Sequence, residues 1–240
     1  MEWTDEGIVI SVRQHGETSA IAEVFTRAHG RVLGLVRGGR SRQMRPVLQI
    51  GNHVEVKWSA RLSEHLGNFR MELQRGYAAS AMDDPARLAA LSSMCSLLRL
   101  LPERDAHSSL YEVTMFVLGF LDDVDVWPVL MVRWEMALLD ELGYGLDLEE
   151  CAATGSNDQL TYVSPKSGRA VSASAGEPYK NVLLPLPGFL IKGRAGDVRL
   201  EDVRQGFDLI GFFLEKHLFT PKGERLPEVR LRMIDLVFRL

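Results

Sequence analysis

Apolar residues recur at every second position up to about residue 78 and at every third or fourth beyond residue 83, so the chain changes architecture once. Two β-branched runs, Gly7–Arg13 and Ser19–Thr26, flank His15-Gly16-Glu17. A third, Arg31–Val36, follows the turn residues Ala28-His29-Gly30, and together the three predict a meander. His53–Arg61 alternates, with Val54, Val56, Trp58 and Ala60 on one face and Glu55, Lys57, Ser59 and Arg61 on the other. Phe69, Met71 and Leu73 repeat the pattern, with Arg70, Glu72 and Gln74 outward. Five short strands, with the longest connection between the third and fourth, predict a small closed β-barrel of the OB type over residues 1–80.

The remainder, 81–240, reads as a mainly helical domain, which makes the chain α+β. Asp84-Pro85 pairs an N-cap with Pro at the first helical position, and Leu88, Leu91, Cys95 and Leu98 then mark an apolar stripe. Ser109 with Glu112 has the spacing of a capping box, opening a helix to about Leu121. Pro128 starts another, Val129–Leu142, apolar on nearly every side and ended by Gly143-Tyr144-Gly145, which is expected to be the buried central helix. Residues 144–183 lose the helical period and hold a hairpin, Leu160–Val163 with Arg169–Val171. Helices return at Glu201–Leu218 and Glu228–Leu240.

Composition fits a globular chain: 240 residues, 46% hydrophobic, 25% charged, 2 Cys and a net charge of −4. A chain this long buries roughly 70–75% of its unfolded surface and needs no disulfide or metal to hold a core. The stretch Met1–Glu6 is acidic where a leader would be basic, and no apolar run approaches the roughly 20 residues of a membrane span. The expectation is a cytoplasmic protein without membrane contact.

Charge distribution changes the picture. Residues 1–78 carry 11 Lys+Arg against 8 Asp+Glu, whereas residues 79–240 carry 17 against 24. Between Arg27 and Arg45 lie six arginines (Arg27, Arg31, Arg37, Arg40, Arg42 and Arg45) and no acid. Guanidinium groups bind phosphate oxygens bidentately, and Gly38-Gly39 would let a nucleic-acid backbone approach closely. With Lys57 and Arg61, these residues form the candidate DNA-binding set. A solvated hairpin is the plain alternative, but such loops usually mix signs. Gly34-x4-Gly39-Arg40-Ser41 also has Walker A spacing, yet Pro46 follows where a phosphate loop must open a helix, so nucleotide hydrolysis is set aside.

Trp58 and Phe69 fall on apolar strand faces and read as barrel core, leaving Phe25 and Tyr77 as base-stacking candidates. The six histidines show no metal or triad spacing, and the run Asp122, Asp123, Asp125 reads as a solvated face. Cys151-x2-Thr154 and Ser172-x2-Ala175 have zinc-ribbon spacing with one thiolate of four, a degenerate form that predicts no metal and no cofactor. No cluster proposes a catalytic site, so no enzyme is expected.

These features resemble the bacterial recombination mediator RecO family. The likeness rests on Gly7-Ile-Val-Ile10, His15-Gly-Glu-Thr18, Phe25-Thr-Arg-Ala-His-Gly30 and Val36-Arg-Gly-Gly-Arg-Ser41. It continues through Trp134-Glu-Met-Ala-Leu-Leu139, Leu142-Gly-Tyr-Gly-Leu-Asp-Leu148, Cys151 and Arg225-Leu-Pro-Glu-Val-Arg230. It implies an OB barrel followed by a helical domain, and a non-enzymatic role in the RecF pathway of DNA repair. The implied activities are binding of single- and double-stranded DNA, annealing of complementary strands, and RecA loading with RecR on DNA coated by single-strand binding protein. Some members of the family carry a four-cysteine zinc site, of which this chain keeps only Cys151. The C-terminal tail of single-strand binding protein, acidic and aromatic-ended, would want an apolar pocket rimmed by cations; Arg204, Phe207, Ile210, Phe213, Leu214 and Lys216 are the candidates, with ordinary helix core as the alternative. An OB-fold protein–protein adaptor and an RNA binder are the competing functions.

Overall fold

The computed structural model describes residues 1–62, 65–194 and 196–239. The chain forms two compact units, Met1–Asp122 and Asp123–Leu240.

In the first unit, strands β1 (Glu2–His15), β2 (Ser19–Thr26), β3 (Gly30–Val36), β4 (His53–Ser59) and β5 (Gly67–Arg75) close into a barrel of order β1-β2-β3-β5-β4. β1 is longer than its β-branched run suggests: its first half pairs with β4 and its second with β2, with an irregularity between Val9 and Ser11. That bend lets one strand serve two sides of the barrel. Closure is brief, through the two parallel pairs Gly34↔Gly67 and Leu35↔Asn68. Glycine is required there, because a Cβ at Gly34 would strike the Phe69 ring and one at Gly67 the Trp58 indole.

The period-two pattern gives the barrel core: Val9, Ala22, Val24, Val32, Val54, Val56, Trp58, Phe69 and Met71 are buried together. Leu73 departs from its expected inward position and is 42% exposed, although it pairs with buried Val54 beside an irregularity in the β4–β5 register. Phe25 and Tyr77 are buried, which removes both as base-stacking candidates. The connection from β3 to β4 contains a short helix, α1 (Met44–Val47), with no helical period in its sequence.

One short helix and two longer ones complete the unit: α2 (Tyr77–Ala81), α3 (Pro85–Leu98) and α4 (Ser108–Gly119). Asp84 caps α3 as expected, its carboxylate accepting from the Ala86 and Arg87 amides at 2.8 and 3.2 Å. The capping box expected at Ser109 is absent; α4 starts a residue earlier, with His107 at the N-cap position and no side-chain cap. Asp122 ion-pairs with Arg87 at 2.6 Å instead of facing only solvent. The last barrel strand ends at Arg75, and α3 and α4 share the barrel's compact unit: Cys95 is buried in reach of the Val9 carbonyl and Ser108 donates to Arg27 O at 3.0 Å.

The second unit is built on α5 (Trp127–Glu141), with Val132, Trp134, Leu138 and Leu139 fully buried. A three-stranded sheet follows, β6 (Leu160–Val163), β7 (Ala170–Ser172) and β8 (Leu184–Pro185), in the order β7-β6-β8, with the four-residue α6 (Ala173–Gly176) after β7. Then come α7 (Leu200–Leu214), a π-helical turn at Glu215–Phe219, and α8 (Glu228–Val237). The expected end of the last helix at Leu240 lies outside the described residues. Gly206 lets α7 approach α5, since a Cβ there would come within 2.8 Å of Val132. Glu135 of α5 and Arg230 of α8 form a buried bidentate ion pair, both contacts at 2.8 Å, and Arg230 also donates to the Phe207 carbonyl at 2.8 Å.

Candidate nucleic-acid interface

On one side of the barrel the outward positions of β4 and β5 set Lys57 opposite Arg70. These two, with Arg37, Glu2, Met44, Ser59 and Asn68, line a groove of about 740 Å³ beside the β3–β5 seam. Its geometry follows from strand alternation: Lys57 and Arg70 point out because Trp58, Phe69 and Met71 point in. Arg70, outward by the period-two pattern, joins the candidate set only through its position opposite Lys57.

The basic run Arg27–Arg45 separates into two kinds of arginine. Arg37, Arg40, Arg42 and Arg45 are exposed on the turn and helix that lead from β3. Arg40 is held in place by donating to the carbonyls of Glu17 (2.7 Å) and Gly16 (3.3 Å), contacts that leave its charge uncompensated by those partners. Arg61 is exposed as well. Arg31 is different: its side chain is 16% exposed, ion-pairs with buried Glu23, and donates from Nε to Leu101 O at 2.8 Å. Arg99 also reaches Glu23, at 3.1 Å. Arg31 is therefore structural, and its expected place in the DNA-binding set is corrected. Arg27 pairs with Glu112 at 2.6 Å, and Lys57 pairs with Glu2, but both pairs are half-exposed. Pairs of that kind contribute little and exchange readily for phosphate.

No periodicity or motif signals the aromatic stack formed by His29, Trp3 and Trp58. Trp3 lies opposite Trp58 in the β1–β4 ladder, the rings 5.5 Å apart and 13° from parallel. His29 stacks on Trp3 at 4.0 Å and 7°, and its Nδ1 lies 2.8 Å from the Asp5 carboxylate.

The candidate partner pocket on α7 is also corrected. Phe207, Ile210, Phe213 and Leu214 are 0–1% exposed and form core. Arg204 lies over the Phe238 ring at 4.1 Å, and Lys216 donates to Pro165 O at 2.6 Å. An amphipathic stripe of helical period is what core packing needs, so the pattern alone could not distinguish the two.

The zinc-ribbon spacing does bring its two halves together. Cys151 Sγ accepts from the Ser172 amide at 3.2 Å and lies 3.5 Å from Ser172 Oγ. Burial raises the thiol pKa, but hydrogen bonds from the Ser172 and Thr154 hydroxyls and the Ser172 and Ala153 amides outweigh it and bring the value down to about 6. One thiolate among hydroxyl groups does not make a zinc site, and among the described residues no group of three His, Cys, Asp or Glu side chains could hold a metal. Nor, among these residues, is any helix long and apolar enough to cross a membrane.

A closed five-stranded barrel with a cationic flank, joined to a helical unit, defines the class as an OB-barrel protein. Comparison with known proteins fixes the family. Residues 1–77 match the family model described as Recombination protein O N terminal, and residues 82–226 match Recombination protein O C terminal. The chain is 52% identical over 238 residues to DNA repair protein RecO of Rhodospirillum centenum, covering 98% of this chain and 94% of that one. It is 53% identical over 240 residues to its counterpart in Methylobacterium nodulans (98% of each). For the counterpart in Mesorhizobium japonicum the figure is 53% over 233 residues, covering 96% of this chain and 91% of that one. The chain belongs to the RecO family of DNA repair and recombination proteins.

Proposed function

We propose that this protein binds single- and double-stranded DNA through the barrel face, anneals complementary strands, and with RecR helps load RecA onto DNA coated by single-strand binding protein. It does so without catalysing a covalent step. The observation that carries the reading is the groove lined by Arg37, Lys57 and Arg70. The exposed arginines Arg40, Arg42 and Arg45 continue from it along the chain. Cations at this density neutralise part of the mutual repulsion of two strands while leaving base edges free to pair. Cooperation with RecR and with single-strand binding protein rests on family membership, and localisation at the nucleoid follows from the same reading.

The test is fluorescence annealing of complementary strands coated with single-strand binding protein, with and without this protein. Acceleration that falls in an Arg40→Glu/Arg42→Glu variant supports the proposal. No acceleration, with DNA binding absent or insensitive to salt, would favour a protein–protein adaptor built on the barrel.

A further inference from the structure

The stack His29–Trp3–Trp58 borders a second cavity, of about 420 Å³, lined by Met1, Glu2, Trp3, His29, Trp58 and Arg104 among others. Pockets that hold small ligands span about 300–1,000 Å³, so a single base with its sugar fits. Glu2 lines both this cavity and the cationic groove, because β1 alternates there: Glu2 turns outward to Lys57 while Trp3 turns inward to Trp58. The two sites therefore adjoin across one strand.

Three further observations suit a planar ligand. Trp3 stacks with His29 at 4.0 Å and with Trp58 at 5.5 Å, so an incoming ring extends the stack at its His29 end. The His29 side chain is 36% exposed there. Asp5 holds the imidazole through Nδ1, and the Ala28 amide donates to the same carboxylate at 2.9 Å, which fixes the ring plane before any ligand arrives. Arg104, which supplies the cavity's cation, sits at φ +61, a left-handed conformation uncommon for a side-chain-bearing residue. Its amide donates to Arg31 O at 2.9 Å and its Nη2 to His65 O at 3.0 Å, so neighbouring segments hold that strained backbone in place. Backbone strain kept by surrounding contacts clusters at ligand sites.

We infer that this aromatic cavity receives one unpaired base of a DNA strand whose phosphates lie in the adjoining groove. The inference rests on the DNA-binding reading and adds to it a preference for strands with free bases over duplex. His29 is the residue the base stacks on, Trp3 backs its ring, and Arg104 meets the phosphate or base edge of the same nucleotide.

The experiment compares affinity for oligothymidylate with that for an abasic oligonucleotide of equal length, which offers the same phosphates without bases. The wild-type protein should favour oligothymidylate by about fivefold or more, the lower end of base–aromatic stacking, and the ratio should persist as salt is raised. His29→Leu should bring the ratio towards one while leaving abasic binding intact, and His29→Tyr should restore it. Trp3→Leu gives a second reading, with the melting temperature confirming that the barrel is folded. Equal affinity of the wild type for both polymers overturns the base site and leaves the groove standing. A ratio unchanged in both leucine variants places base recognition elsewhere and also overturns it. Failure to bind either polymer removes the DNA-binding reading and this inference with it.

Discussion

Replacing Arg230 by Met tests the second unit's core most directly. The Arg230 and Glu135 side chains are 2% and 0% exposed. The substitution removes two contacts to Glu135 and one to the Phe207 carbonyl, each 2.8 Å. A buried carboxylate stripped of its partner costs about 3–5 kcal/mol, whereas the Phe207 carbonyl, inside α7, keeps its place in the helical ladder and adds little. A loss near 4 kcal/mol is a large part of the 5–15 kcal/mol that holds a typical domain together. Urea unfolding followed by circular dichroism measures it as a lowered midpoint. Changing both residues, Glu135→Met with Arg230→Met, should recover much of the loss, because no uncompensated charge then remains. A single-variant loss below about 1 kcal/mol, or a double variant no better than Arg230→Met alone, would refute the idea that the pair is a dry ionic tie between α5 and α8.

Other outcomes follow from the first unit and from Cys151. If Arg37, Arg40, Arg42 and Arg45 each meet a phosphate, log affinity for single strands should fall with log salt at a slope near −3, from about 0.7 per contact, and Arg40→Glu/Arg42→Glu should flatten it; an unchanged slope sinks the assignment. Arg31→Ala should lower barrel stability, since it leaves buried Glu23 with Arg99 alone, yet leave the salt slope unchanged, as urea unfolding and anisotropy titration can determine together. Gly30→Ala should destabilise strongly, because Gly30 has φ +65 and a Cβ there would collide with the Asp105 carbonyl; a neutral effect in thermal melts would contradict it. The Cys151 pKa is lowered from its ordinary 9.0 to about 6, so the stability it contributes is complete above about pH 9 and declines as pH falls towards 6. The stability difference between wild type and Cys151→Ala should therefore shrink across that window, and a difference independent of pH would show that the native thiol is not ionised.

Much of the fold was legible because alternation and helical period report burial directly. Val54, Val56 and Trp58 face the core as their spacing requires, and Asp84 caps α3. The start of β1 was not legible, since Glu2-Trp-Thr-Asp-Glu6 has no β-branched run and is held by pairing with β4, a contact remote in sequence. Helix α1 was hidden by Pro46, which is tolerated within a helix of four residues because it lies in the first turn. At the candidate interface, the cationic character of the β3–β4 connection could be read directly, and the structure adds Arg70 by bringing β5 alongside β4. The sequence could not show that Arg31 turns to Glu23, since nothing local in an arginine-rich stretch distinguishes a structural guanidinium from a free one. The motif residues Glu135 and Arg230, which carried the family likeness, lie 95 positions apart, and their pairing emerges only in three dimensions.

The brief junction between β3 and β5 has a mechanical consequence. Every other strand pairing in the barrel is antiparallel and extends over seven or more residue pairs, whereas this one consists of two. Thermal breathing should part the wall there before anywhere else, and the cationic channel lies directly along that line. Its width is thus held by a few atoms of main chain at one line, and parting them would leave the rest of the wall intact.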